Sequence, residues 1–99
     1  MLNIDKKTEG TKLCICLEGR LDTVTSPELE KELMNSLNGM TELMLDFEKL
    51  EYISSAGVRV LLAAQKIMNK QGTMKVTHVN DTTMEIFEVT GFTDILTIE

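Results

Sequence analysis

Leu43-Met44-Leu45-Asp46-Phe47, followed shortly by Tyr52-Ile53-Ser54-Ser55-Ala56-Gly57-Val58-Arg59-Val60-Leu61-Leu62, is the stretch that decides the fold of this 99-residue chain. Five almost continuously apolar residues read as a central strand, because a strand buried on both sides loses the polar alternation of a half-exposed one. The residues after Ser54 read as a helix over ~55–70. From Val58 to Ala64 it is apolar almost all round except at Arg59, whereas Lys66, Asn69, Lys70 and Gln71 are polar and Gly72 ends it. The serine end is therefore the packed end, which fixes the geometry of the turn. Two hydroxyls stand at a helix N-terminus, where unpaired backbone N–H groups and the positive end of the dipole face outward. A serine there can cap the helix, hold a phosphate or attack an electrophile.

Working outward, residues ~2–7 and ~12–18 read as an antiparallel strand pair joined by the turn signal Glu9-Gly10. In the second strand Leu13, Ile15 and Leu17 share one face and Cys14 and Cys16 the other, so this strand is expected to be covered on both sides or nearly so. Gly19 ends it, and a polar loop from Arg20 to Thr25 leads to Ser26-Pro27, read as N-cap and first helical residue, with Glu28 complementing the dipole. Leu29, Leu33 and Leu37, with Met34 beside them, mark the helix face turned to a core, and Gly39 is placed to stop it. Met74, Val76 and His78 alternate with Lys75, Thr77 and Val79 as a further strand. Asp81 caps a short helix carrying Met84, Ile86, Phe87 and Val89 and ending at Gly91, and Ile95 to Ile98 close the chain as a small strand or packing segment. Strands alternating with helices require parallel crossovers. The fold class is α/β: a mixed sheet of four to five strands with helices packed mainly on one face.

The chain is long enough for one core and one domain, residues 1–99, with no separate catalytic lobe. Its net charge of −6 argues against nucleic acid as a direct partner and against an anionic membrane surface, since both need a basic face. No apolar run approaches the ~20 residues of a membrane span, and Met1-Leu2-Asn3-Ile4-Asp5 lacks the plan of a signal peptide, so a cytoplasmic location is expected. Cys14 and Cys16 read as two reduced, half-buried thiols. No metal site is expected, because His78 is the only imidazole. The seven methionines fall mostly at core spacing, with some available to an adaptable contact surface.

Among candidate sites, the plain reading of Ser54-Ser55 is a helix N-cap contributing ~1 kcal/mol. One serine suffices for that, which leaves the other free on the surface, and Ala56-Gly57 keep its surroundings small. A nucleophilic hydrolase would need a Gly-x-Ser-x-Gly elbow, which is absent, and would have to recruit His78, itself expected at a strand end bonded to backbone. Asp22 lies where a carboxylate orders a loop by accepting backbone N–H bonds, and Asp46, inside an apolar strand, needs a partner if buried.

Gly19-Arg20-Leu21-Asp22, then Thr25-x-x-x-Leu29, Leu45-Asp46-Phe47 with Leu50, Tyr52-Ile53-Ser54-Ser55-Ala56-Gly57 and finally Thr90-Gly91-Phe92 occur in an order that resembles the STAS domain family. Within that family the chain is similar to the free-standing bacterial anti-sigma factor antagonists, over essentially its whole length. The resemblance implies a regulatory protein with no catalytic activity and no cofactor. Its unphosphorylated form would bind an anti-sigma factor with serine kinase activity and so release a sigma factor. The kinase would use its own ATP to phosphorylate the antagonist, and a serine phosphatase would restore binding. The family's acceptor serine usually follows an aspartate in an Asp-Ser-Ser/Thr-Gly run. Here Ser54 stands at the aspartate position, Ser55 at the acceptor and Ala56 at the second hydroxyl, so Ser55 is the expected acceptor and Ser54 the second choice. Asp22 matches the family's loop aspartate near the acceptor. The expected partner surface comprises Asp22, Thr23, Thr25, Ser54, Ser55, Ala56, Gly57 and Arg59. Two other readings stand beside this one: a STAS subunit of a lipid-transport or stress-signalling assembly, and a small serine hydrolase.

Overall fold

The structure, a computed structural model, describes residues 2–99. Strands β1 (Leu2–Glu9) and β2 (Lys12–Leu21) pair antiparallel from Leu2↔Gly19 to Glu9↔Lys12. Gly10 makes the tight turn between them at φ +59, a left-handed conformation that glycine adopts without a steric penalty. Helix α1 (Ser26–Ser36) leads to β3 (Glu42–Ile53), α2 (Ser55–Gln71) to β4 (Thr73–Thr77), and α3 (Asp81–Thr90) to a single 3-10 turn at Phe92–Asp94. The sheet order is β1-β2-β3-β4, with β2, β3 and β4 parallel. The four-stranded mixed α/β sheet is the expected one. The closing segment contributes a single parallel bridge, Val76↔Ile98, rather than a fifth strand.

One face of the sheet carries the core. Leu13, Ile15, Leu17, Leu43, Leu45, Phe47, Met74 and Val76 are buried there against Leu29 and Leu33 of α1, Val58, Leu61, Ala64 and Met68 of α2, and Phe87 of α3. The opposite face is open, and its Cys14, Cys16, Met44 and Asp46 are only half-buried. This corrects the expectation that β2 is covered on both sides. Two thiols add too little apolar area to require a second helical layer. The methionines are likewise less central than their spacing suggested: Met68 and Met74 are buried, Met34 is exposed, and Met1 lies outside the described residues. Val89, read as part of the apolar face of α3, is exposed.

β3 extends well past the apolar run that announces it. The β2–β3 register shifts between Cys16 and Glu18 and again between Gly19 and Arg20. These irregularities put Glu48 and Lys49 consecutively in solvent and return Leu50 and Ile53 to the core. The strand thereby delivers Ser54 at its end with Ile53 anchored beneath it.

Two helix starts differ by one residue from their sequence reading. Thr25, not Ser26, is the N-cap of α1, and Asn80, not Asp81, caps α3 by accepting the Thr83 N–H at 2.7 Å. Gly91, at φ +78, ends α3 as expected.

Candidate functional site

The site forms where β2 and β3 both end. Their registers finish together at Leu21↔Ile53, and the Ser54 N–H donates to the Leu21 carbonyl at 2.8 Å. The β2–α1 loop and the β3–α2 turn are thus held side by side at the C-terminal edge of the sheet, where ligand-facing loops gather in parallel α/β layouts.

Ser54 and Ser55 divide their roles. Ser54 has extended backbone (φ −95, ψ 173) and is the N-cap of α2, its Oγ accepting the Gly57 N–H at 3.3 Å and its carbonyl accepting the Val58 N–H at 3.0 Å. Ser55 is the first helical residue and is exposed. The first-turn N–H groups of Ser55 and Ala56 are the donors left for solvent or an anion.

Gly57 explains why the turn lies so close to the loop. A Cβ there would sit 2.8 Å from Leu21 Cγ and 2.9 Å from Ile53 Cγ1, both in buried side chains. The missing side chain lets the first turn of α2 settle directly onto the ends of both strands.

The loop from Asp22 to Thr25 is ordered by its own polar groups. Asp22 Oδ1 accepts the backbone N–H groups of Val24 and Thr25, each at 3.0 Å. The Thr25 hydroxyl accepts the Asp22 N–H at 2.9 Å and donates to the Arg20 carbonyl at 2.8 Å, so this N-cap residue makes no side-chain bond to its own helix. The buried Ser26 hydroxyl donates to the Asp22 carbonyl. The Thr25 N–H bond, with that of Val24 and the Thr25 hydroxyl, holds the Asp22 carboxyl below its ordinary value of 3.8 despite some desolvation. One oxygen of Asp22 is therefore committed to holding the loop, the role that its position suggested.

Thr23 and Ala56 share a shallow groove with Arg59, Glu30 and Pro27 between the starts of α1 and α2. Thr23 and Arg59 are exposed, while Thr25 is 5 % exposed and Gly57 is buried. Of the eight residues expected to meet a partner, Thr25 and Gly57 thus shape the surface from below rather than form it. Two features were missed in the sequence. Val24, 81 % exposed in the β2–α1 loop, presents an apolar side chain to solvent. Its signal was visible as an aliphatic residue flanked by Thr23 and Thr25. Arg20 stacks over the Tyr52 ring at 4.5 Å, clasping the ends of β2 and β3.

The hydrolase arrangement is not assembled. His78 is paired with Asp46 of β3, Nδ1 to Oδ1 at 2.9 Å, and has neither serine as a partner. This also corrects the expectation of a backbone partner for His78. The parallel register Asp46↔Thr77 sets a carboxylate beside the end of β4, so the side chain takes the bond instead.

The model of the STAS domain family matches residues 3–99. A protein of Bordetella bronchiseptica named BtrV, a candidate anti-sigma factor antagonist, is 35% identical over 88 residues, covering 87% of this chain and 76% of its own. Among solved structures, an anti-sigma factor antagonist from Mycobacterium paratuberculosis superposes with a TM-score of 0.90 over 99% of this chain and 85% of the other, at 19% identity. The phosphorylated form of the Bacillus cell fate determinant SpoIIAA superposes with a TM-score of 0.77 over 98% of this chain and 91% of the other, at 17% identity.

Proposed function

This chain belongs to the STAS domain family, and from that premise we propose that it is an anti-sigma factor antagonist switched by phosphorylation of Ser55. In its unphosphorylated form it docks onto an anti-sigma factor that is also a serine kinase, and the sigma factor is released. Phosphate on Ser55 ends the docking, and a serine phosphatase restores it. The protein itself catalyses nothing. The observation that carries this reading is the division of labour between the serines: Ser54 takes the cap, and Ser55 stands exposed at the first turn of a seventeen-residue helix. The names of the relatives, and a structural neighbour described in a phosphorylated form, support the same direction.

The physics of such a switch is coherent. Phosphorylation adds roughly −1.5 to −2 charge at neutral pH. The N-terminus of α2 tolerates that charge, because its free N–H groups and dipole favour an anion there. The fold therefore survives. A partner surface shaped around a neutral hydroxyl, the Thr23–Arg59 groove and the exposed Val24 would instead meet a bulky dianion. Losing ~2.7 kcal/mol of binding energy lowers affinity about a hundredfold. Kinase selection of Ser55 over Ser54 follows from the same geometry, since the Ser54 hydroxyl is held in the cap.

The test is capture of partners from the native cell on the immobilised protein, with and without kinase and ATP treatment, followed by mass spectrometry of the phosphosite. Stoichiometric phosphate on Ser55 with loss of a captured kinase-type anti-sigma factor is the expected result. Capture of transport-complex subunits that ignores phosphorylation would assign the domain to another assembly.

A further inference from the structure

Ser55 and Arg59 stand four residues apart on α2, and both are exposed. Residues at that spacing share one face of a helix. A helical side chain leans toward the N-terminus and covers the turn before its own Cα. The long stem of Arg59 is therefore directed over the turn that carries the Ser55 hydroxyl. Little stands between them: Ala56 offers a single methyl, Gly57 no side chain, and Val58 is buried.

The guanidinium is also uncommitted. Among the described residues the ion pairs are Lys6–Glu32, Lys75–Glu99 and His78–Asp46, and none uses Arg59. Glu30 lines the same groove yet makes no ion pair with it. Arg20, the other arginine of the sequence, is stacked on Tyr52 instead. A free, always-charged fork one helical turn from a hydroxyl is arranged to receive an anion built on that hydroxyl.

We propose that Arg59 is the intramolecular partner of the phosphate on Ser55, an inference that rests on Ser55 being the phosphoacceptor. Once the phosphate is in place, the guanidinium donates to two of its oxygens. The anion precedes the cation by four residues, which is the favourable order for such a pair on a helix. Phosphorylation then alters the docking surface twice: it adds a dianion at residue 55 and withdraws a free cation from residue 59. The helix start supplies N–H groups to any anion, whereas this pairing is particular to a side chain with a forked charge at residue 59.

The test uses the full chain with phosphoserine encoded at residue 55, so that it needs neither kinase nor partner. At low salt, where exposed charges are least screened, the phosphorus resonance is followed against pH. The phosphate, which ordinarily takes up a proton at about pH 6, should bind it at least about threefold more weakly than in the Arg59→Gln phosphoprotein. Arg59→Lys keeps the charge without the fork and should fall between the two. The Arg59 Nε–H resonance should also move on phosphorylation, and further than that of Arg20. Because Arg59 is exposed, these variants should fold as the wild type does. Equal phosphate titration with and without Arg59, or a larger displacement at Arg20, would overturn the pairing. Failure of the switch itself reads differently: the phosphoprotein would dock as tightly as the unmodified chain, with the same two spectra intact.

Discussion

At the C-terminal edge of the sheet two connections lie side by side and are fixed by opposite means. The β2–α1 loop is fixed by polar groups: the Asp22 carboxylate and the Thr25 and Ser26 hydroxyls all bond to the chain within five residues of themselves. The β3–α2 turn is fixed by packing, with Gly57 pressed onto Leu21 and Ile53 and a single side-chain cap from Ser54. A loop that spends its polar groups on its own order leaves shape and the exposed Val24 at its surface. A turn held from below by sterics leaves its surface hydroxyl, Ser55, available for chemistry.

The contrast can be broken most severely from the packed side. Gly57→Val should cost about 3 kcal/mol through overpacking, lowering Tm by on the order of 15 °C for a domain of this size. Calorimetry checks it, and a wild-type Tm would mean that the close approach is not what holds the turn. Ser54→Ala removes one cap and should cost ~1 kcal/mol, read from chemical denaturation, while leaving phosphate incorporation at Ser55 unchanged. The polar side shows its character in acid. The folded Asp22 carboxyl lies below its ordinary value, so its contribution is complete above that value and is lost as pH falls through the depressed one. Asp22→Asn should therefore flatten the acid limb of stability below the ordinary carboxylate value. This is the smallest of these effects, and Tm followed against pH measures it.

Most of the architecture was legible because each element carried its own period and punctuation. The apolar run at Leu43–Phe47, the packed start of α2 and the stop at Gly91 needed no tertiary information. What the sequence could not show was set between elements. The length of β3 depends on its register slips against β2. The cap of α1 falls at Thr25, whose hydroxyl bonds the Arg20 carbonyl five residues upstream and not its own helix. The bareness of the Cys14–Cys16 face follows from where the helices pack. The exposure of Ser55 and the loop-ordering bonds of Asp22 agree with their reading, since both follow from local geometry. The pairing of His78 with Asp46 is likewise set between elements, by the parallel register that brings Asp46 beside Thr77.

The central claim is that charge added at residue 55 abolishes docking without disturbing the scaffold. It is tested most directly by comparing homogeneous Ser55-phosphorylated and unmodified protein in two measurements: affinity for the anti-sigma partner and the backbone amide spectrum. The account predicts at least a hundredfold weaker binding, about 2.7 kcal/mol, with amide shifts confined to the first turn of α2 and the adjoining Asp22–Thr25 loop. Equal affinity of the two forms, or spectral change spread through the core, would contradict it.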